Sequence, residues 1–402
     1  MINRYMKIFN QIVYIHDYRG GIYMSFTEEI KNYALDLGYC GVGCISIDAV
    51  ADYVEILKSR NETYDFLIRQ PQGPMKGAIP KVFMPEAKSI IVLAWDYFQK
   101  DFPKTLTEKI ERAYLSRSYH PLENSINGAR VKLMEKFLVS KGCKVNTNIN
   151  VPARWASAKA GVTTFGKNNF AYVNGVGSFI IIYTIVIDQK LDYDQPTMNC
   201  QCPQNCRACM AACPTAAIYE PFKLNPYKCL GFNAWMRQEK NNIPTVIPEG
   251  IREKMGTRVH GCDLCQEACP RNRKKLKSQF PKDQFLEKIS RNFTLIDLLH
   301  ITDDFYRKNV YPIMYNYIED YKYFKRNAAV AIGNTGDSGM IPELAKILDN
   351  EDEDELVRIH VAWAIGHIGG KKAKQVLLNR LDEEQSIATK QEIISALNNC
   401  SV

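Results

Sequence analysis

The chain has 402 residues, 46% hydrophobic and 24% charged, an ordinary globular composition with room for two or three domains. Lys and Arg number 52 against 44 Asp and Glu, a formal charge of +8 that admits a nucleic-acid partner without arguing for one. No stretch reaches the roughly 18–20 apolar residues of a membrane helix, and thirteen cysteines, nine of them between 200 and 269, do not form a secreted disulfide framework, so the chain reads as soluble and intracellular.

Residues 1–23 carry no clean signal peptide, because Arg4, Lys7 and Asp17 interrupt the apolar stretches, and they are expected to be a loose extension. Ser25-Phe26-Thr27-Glu28 reads as a capping box that opens the fold near Met24. The helical spacing of Ile30, Tyr33, Ala34 and Leu37 stops at Gly38. Ser89 to Trp95 reads as a strand, Ile126 to Leu138 as a helix, and the run 178–187 as a second, buried strand. Gly161, Gly166, Gly175 and Gly177 precede that run, either as ordinary turns or as a face where backbone approaches a flat ligand. Residues 24–190 are therefore expected to form an α+β N-terminal domain.

Residues 191–284 are expected to be a small loop-rich module held by an inorganic core. The first cysteine run is Cys202-x3-Cys206-x2-Cys209-x3-Cys213-Pro214, the second Cys262-x2-Cys265-x3-Cys269-Pro270, and Cys229 lies between them. Two-cluster ferredoxins use three close thiolates for three corners of a 4Fe–4S cube and a distant one for the fourth, so the last cysteine of each run serves the other cluster. That logic assigns Cys202, Cys206, Cys209 and Cys269 to cluster 1, and Cys213, Cys229, Cys262 and Cys265 to cluster 2. The usual spacing would place a cysteine where Pro203 stands, so Cys200 competes with Cys202. Two all-thiolate zinc sites are the alternative chemistry. Cys40, Cys44, Cys143 and Cys400 read as small packed hydrophobes.

Residues 285–402 read as an all-α solenoid of the HEAT type. Ala329-Val330-Ala331-Ile332-Gly333 recurs 33 residues on as Ala362-Trp363-Ala364-Ile365-Gly366, and Gly336, Leu344 and Leu348 match Gly369, Leu377 and Leu381. Two repeats and a partial third cannot bury both ends, so the solenoid is expected to stack on the rest of the chain.

From about Met24 onward the chain resembles the epoxyqueuosine reductase family. The resemblance runs through Ile79-Pro80-Lys81, Met84-Pro85-x-Ala87-Lys88-Ser89 and Arg117-Ser118-Tyr119-His120. It continues in Ala160-Gly161, Gly166-Lys167-Asn168, Ala212-Cys213-Pro214-Thr215 and Lys228-Cys229. It closes with His260-Gly261-Cys262-Asp263-x-Cys265-Gln266 and Arg326-Asn327-Ala328-Ala329. The resemblance implies a cytoplasmic, monomeric enzyme fed by a donor such as ferredoxin or flavodoxin, with two 4Fe–4S clusters passing electrons to a cobalamin in the N-terminal region. The reaction it implies removes an epoxide oxygen from a modified wobble base of tRNA. It offers Tyr119 and His120 as corrinoid neighbours, and Arg154 and Lys167 as cobalamin contacts.

Two departures stand out. The family carries an aspartate, its general acid, ahead of an arginine that corresponds to Arg154; counting back from Arg154 and Ala160-Gly161 places Thr147 there, and no carboxylate lies between Glu135 and Asp188. The segment before the solenoid, basic in the family, here runs from Tyr311 to Tyr321 with four tyrosines and two acids, and Asp349 to Glu355 is acidic too, which weakens a tRNA footprint on that side. A corrinoid reductase of another small molecule, or an electron carrier without its own substrate, are the alternative readings.

Overall fold

The computed structural model describes residues 24–119, 125–196, 200–314, 318 and 320–400; the expected extension at 1–23, together with His120, lies outside them. The capping box forms as the sequence predicts, with the Ser25 hydroxyl accepting from the Glu28 N–H and the Glu28 carboxylate accepting from the Ser25 N–H. It starts helix α1 (Phe26–Asp36). Gly38, at φ +90°, turns the chain toward strand β1 (Gly41–Ser46), because a positive φ is cheap only without a Cβ.

Four antiparallel strands make the sheet of the first region: β1, β2 (Ser89–Asp96), β3 (Val145–Asn146) and β4 (Ile180–Ile187), in the order β1-β2-β4-β3. Cys44 faces Ile91, Val92 faces Thr184 and Val145 faces Ile187. Strand β2 is central and packed on both sides, which is why Ser89 to Trp95 lacks polar alternation. Ile91, Leu93 and Ile185 point to one face, toward Ile30 of α1 and Met134 and Leu138 of helix α2 (Ile126–Ser140). Ile90, Val92 and Val186 point to the other, toward Ala156 of helix α3 (Ala153–Lys159) and Ala160 just beyond it. Each such aliphatic contributes about 1.5–3 kcal/mol on burial.

The solenoid consists of helices α4 (Lys322–Gly333), α5 (Ile341–Leu348), α6 (Glu355–Ile368), α7 (Gly370–Glu383) and α8 (Ile387–Asn399). The repeated glycines explain themselves. A Cβ on Gly333 would lie 2.9 Å from Ala364 Cα, and one on Gly366 would lie 2.6 Å from Ala396 Cβ, so each glycine lets its helix touch the equivalent helix of the next repeat.

As expected, the solenoid stacks on the cysteine-rich module. Arg326, fully buried, donates to the carbonyls of Arg237, Thr245 and Ala234, and Asn327 donates to those of Ala234 and Val259. The Ile247 N–H donates to His360 Nε2, and Arg252 pairs with Glu392 at 2.6 Å. The acidic link is not simply solvated: Glu353 is buried against Lys325 at 2.6 Å, and Asp354 lies 3.4 Å from Lys322. Among the described residues no helix is long and apolar enough to cross a membrane.

Candidate functional site

The cysteines sit on short pieces of backbone. Cys209 lies in the helix Ala208–Ala211 and Cys265 in the helix Leu264–Glu267, and these two helices pack on each other. Cys213 and Cys269 follow those helices, and Cys229 caps the helix Leu230–Trp235. Tertiary packing brings the runs together in a crossed sense. Burial pushes the Cys209 thiol up to about 11, with the sulfurs of Cys269 and Cys202 adding to it. Burial also raises Cys229, beside Cys213, and pushes Cys262 up to about 12, beside Cys229. Cys265 is driven well above the usual thiol range by burial and by Cys262 and Cys229.

The last cysteine of the second run therefore faces Cys209 of the first, and the last cysteine of the first faces Cys229, which in turn faces Cys262 and Cys265. Among the described residues no three His, Cys, Asp or Glu side chains converge tightly enough to hold a single metal ion. Mononuclear zinc gathers four ligands around one atom, whereas a 4Fe–4S cube holds its thiolates at separate corners. The donor set fits two such cubes: eight sulfurs in two facing groups, mostly shielded. Cys200 is exposed and its sulfur accepts the Cys202 N–H at 3.4 Å, so the two competitors are adjacent.

The N-terminal region braces both groups. Lys167 Nζ donates to the carbonyls of Pro203, Gln204 and Cys206 at 2.9, 2.7 and 3.1 Å. Lys167, expected from the resemblance as a cobalamin contact, thus meets the first cysteine loop through its ammonium. On the other side, Arg112 pairs with Asp263 at 2.9 Å and Glu267 at 2.6 Å, and the Glu111 carboxylate accepts the Cys262 N–H at 3.2 Å. Burial, then Asp263, push the Glu111 carboxyl up to about 8. Gly261 sits at φ +75°, and a Cβ there would lie 2.4 Å from Glu111, so this approach requires glycine. Ser178, Gln266 and Asn272 form a buried hydrogen-bonded set that ties the start of β4 to the second run.

Of the glycines ahead of β4, Gly166 and Gly177 approach protein, while a Cβ on Gly175 would meet open space. A Cβ on Gly166 would lie 2.4 Å from the Tyr172 ring, and one on Gly177 2.5 Å from Asn272 Oδ1. The Tyr172 hydroxyl donates to Cys269 Sγ at 3.2 Å. Glu111, Arg112 and Tyr172 were not legible as site residues, since none belongs to a spaced motif and each reaches the cysteines only through the fold.

Arg154 is exposed and donates to the Asn169 carbonyl at 2.8 Å. Its charge and that of Arg60 lie within reach of Tyr53 and Tyr64, opposite the hairpin that carries Phe222 and Leu224. Tyr119 is exposed and its ring lies 5.6 Å from that of Tyr114. Thr147 is half-buried and follows β3. Beside it is a hollow of about 210 Å³ lined by Gln72, Phe83, Asn146, Asn148, Ile149 and Asn150. The turn Pro80–Val82 next to Phe83 exposes Val82 at 60%. Amides beside apolar surface, without a carboxylate, suit a flat ring rimmed by amides, as a corrinoid is; by volume the hollow takes only part of one. On the other flank of that turn Lys81, Lys88 and Lys190 surround a second hollow of about 180 Å³, with Asp48 as its one carboxylate.

Residues 201–272 match a 4Fe-4S double cluster binding domain, and residues 316–398 match HEAT repeats. The chain is 29% identical over 384 residues to the epoxyqueuosine reductase of Bacillus subtilis (strain 168), covering 92% of this chain and 94% of that protein. A Bacillus subtilis epoxyqueuosine reductase structure, with its aspartate-bearing catalytic loop swung out of the active site, superposes with a TM-score of 0.76 at 25% identity, over 93% of this chain and 98% of that one. An epoxyqueuosine reductase with an epoxyqueuosine-modified tRNA-Tyr stem loop gives the same TM-score at 25% identity, over 92% and 98%.

Proposed function

We propose that this chain, a homologue of the epoxyqueuosine reductases along most of its length, is a cluster-fed oxidoreductase that converts epoxyqueuosine to queuosine in tRNA. The observation that carries the reading is the crossed facing of the two cysteine runs, Cys209 with Cys202 and Cys269, and Cys229 with Cys213, Cys262 and Cys265. We assign cluster 1 to Cys202, Cys206, Cys209 and Cys269, and cluster 2 to Cys213, Cys229, Cys262 and Cys265. Cys202 is preferred to Cys200 because it is the sulfur that acts on Cys209.

Removing an epoxide oxygen as water takes two electrons and two protons. Bound clusters supply electrons one at a time, and a bound cobalamin supplies a reduced metal centre for the carbon–oxygen chemistry. The amide-lined hollow beside Thr147, with the Arg154 surface, is where this chain would hold the corrinoid. Lys167 and Arg112 fix the two cluster loops against the N-terminal domain. Thr147 stands where the aspartate of relatives is expected, and its hydroxyl hydrogen-bonds and relays a proton from water but does not release one of its own near neutral pH. Phosphates of the tRNA find their cations at Lys81, Lys88 and Lys190 rather than on the acidic link of the solenoid. The enzyme is read as a cytoplasmic monomer that takes electrons from a ferredoxin or flavodoxin.

The test is anaerobic turnover of epoxyqueuosine-containing tRNA by cluster-loaded protein with cobalamin and a low-potential reductant, with nucleosides read by mass spectrometry. Queuosine should form, and Thr147→Asp should raise the rate. Absence of queuosine with clusters and cobalamin demonstrably bound would refute the substrate assignment.

A further inference from the structure

We propose that Tyr172 sets the reduction potential of cluster 1 through a hydrogen bond to Cys269, the ligand that crosses over from the second cysteine run. The proposal rests on the reading that Cys202, Cys206, Cys209 and Cys269 hold a 4Fe–4S cluster, and goes beyond it by giving one side chain control of that cluster's electron affinity.

The hydroxyl of Tyr172 lies 3.2 Å from Cys269 Sγ, and the residue is only 1% exposed, so water does not compete for the bond. The Asn168 amide donates to the same oxygen at 3.0 Å, and its Oδ1 lies 3.3 Å away as a second acceptor, so Cys269 Sγ is the nearer acceptor in a hydroxyl environment closed to water. The ring is fixed from both sides. It packs on the backbone of Gly166, where a Cβ would lie 2.4 Å from Cε2. The Arg271 guanidinium lies over it at 4.0 Å from the centroid, drawing density from the ring and making the hydroxyl a better donor. Arg271 is itself held by Thr164 and Gln201 at 3.0 and 2.9 Å.

A reduced cluster carries one more negative charge than an oxidised one, and part of it resides on the thiolate sulfurs. A buried donor aimed at one of those sulfurs stabilises the reduced state more than the oxidised state, and the potential rises. In cluster 2 the counterpart, Cys213, accepts the Ala217 N–H at 3.3 Å and lies 3.5 Å from the Thr215 hydroxyl, both groups of its own loop. The Tyr172 bond differs in coming from the N-terminal domain, so the docking of that domain is what tunes cluster 1.

The experiment is an anaerobic potentiometric titration of cluster-loaded wild type and Tyr172→Phe, followed by electron paramagnetic resonance, with neither corrinoid nor tRNA present. In Y172F one of the two couples should fall by about 59 mV, a tenfold change in its one-electron equilibrium, while the other stays in place. Unchanged potentials with both clusters present would overturn the role of Tyr172 and leave the cluster assignment standing. Equal movement of both couples would overturn it as well, since it would report general loosening. Resonance Raman of the wild type gives an independent check. An iron–thiolate stretch should shift in D2O, and its absence would overturn the proposal even if Y172F did not retain clusters. A wild type without two couples would overturn the cluster reading and this proposal together.

Discussion

Lys167→Met removes the ammonium that holds the first cysteine loop while keeping most of the side chain's apolar stem. Three hydrogen bonds are lost, to Pro203, Gln204 and Cys206. A charge-assisted bond in a protected site is worth about 1.5–3 kcal/mol, but the carbonyls of Pro203 and Gln204 are exposed and water replaces the lysine there, so about 0.5–1 kcal/mol each is appropriate. The Cys206 bond is only half-buried and is worth about 1 kcal/mol, so the sum is roughly 2–3 kcal/mol. Opening of the loop should then be roughly 30- to 150-fold more frequent, at 1.4 kcal/mol per tenfold. The assay is anaerobic iron release to a chelator from fully loaded protein. Half of the iron should leave faster by that factor while the other half, held by the Cys213 group, leaves at the wild-type rate. Lys159→Met, which removes an ion pair with Asp52 remote from the cysteines, serves as control. Wild-type release from both clusters, or equal acceleration of both, would refute the reasoning.

Cys202→Ser should abolish one cluster, read as loss of about half the iron and half the visible absorbance, whereas Cys200→Ser should retain full content; the reverse result would exchange the two assignments. Arg326→Met should destabilise the protein by about 3–5 kcal/mol in urea denaturation, because the buried carbonyls of Arg237, Thr245 and Ala234 lose their donor, and a loss below about 1 kcal/mol would show that the solenoid docks by other means. His360 gives a pH dependence. Burial, with the cations of Arg252, Arg326 and Arg237 nearby, holds its imidazole well below the ordinary histidine range. The folded protein keeps the ring neutral while the unfolded chain takes up a proton below about pH 6.5, so this contribution is complete above that pH and falls by about 1.4 kcal/mol per pH unit beneath it. Denaturation midpoints followed by tryptophan fluorescence between pH 7.5 and 5.5 should show the loss in wild type and a smaller one in His360→Gln; identical slopes would count against it.

The local sequence determined what local chemistry can express. Ser25 and Glu28 are three apart, the spacing at which a side chain meets the first free N–H groups of a helix. The near-unbroken apolar run at Ser89 to Trp95 specified a strand packed on both faces, and the glycines at 333 and 366 specified helices in close contact. The cysteine spacing specified iron–sulfur chemistry, because three sulfurs on one turn leave a fourth corner unfilled. What the sequence did not express is which groups lie next to those sulfurs. Lys167 belongs to a motif that suggests a cofactor contact, yet its ammonium is enclosed by three carbonyls of a loop more than thirty residues away. Glu111 reaches Cys262, and Tyr172 reaches Cys269, only because the N-terminal domain docks on the cluster loops. Gly166 is read from the sequence as a turn or as backbone that approaches a flat ligand; the structure shows it as the space for the Tyr172 ring. Spacing along a chain fixes which ligands can share a cluster, whereas burial, charge and hydrogen-bond donors at the cluster depend on contacts between residues far apart in sequence, and those only tertiary packing decides.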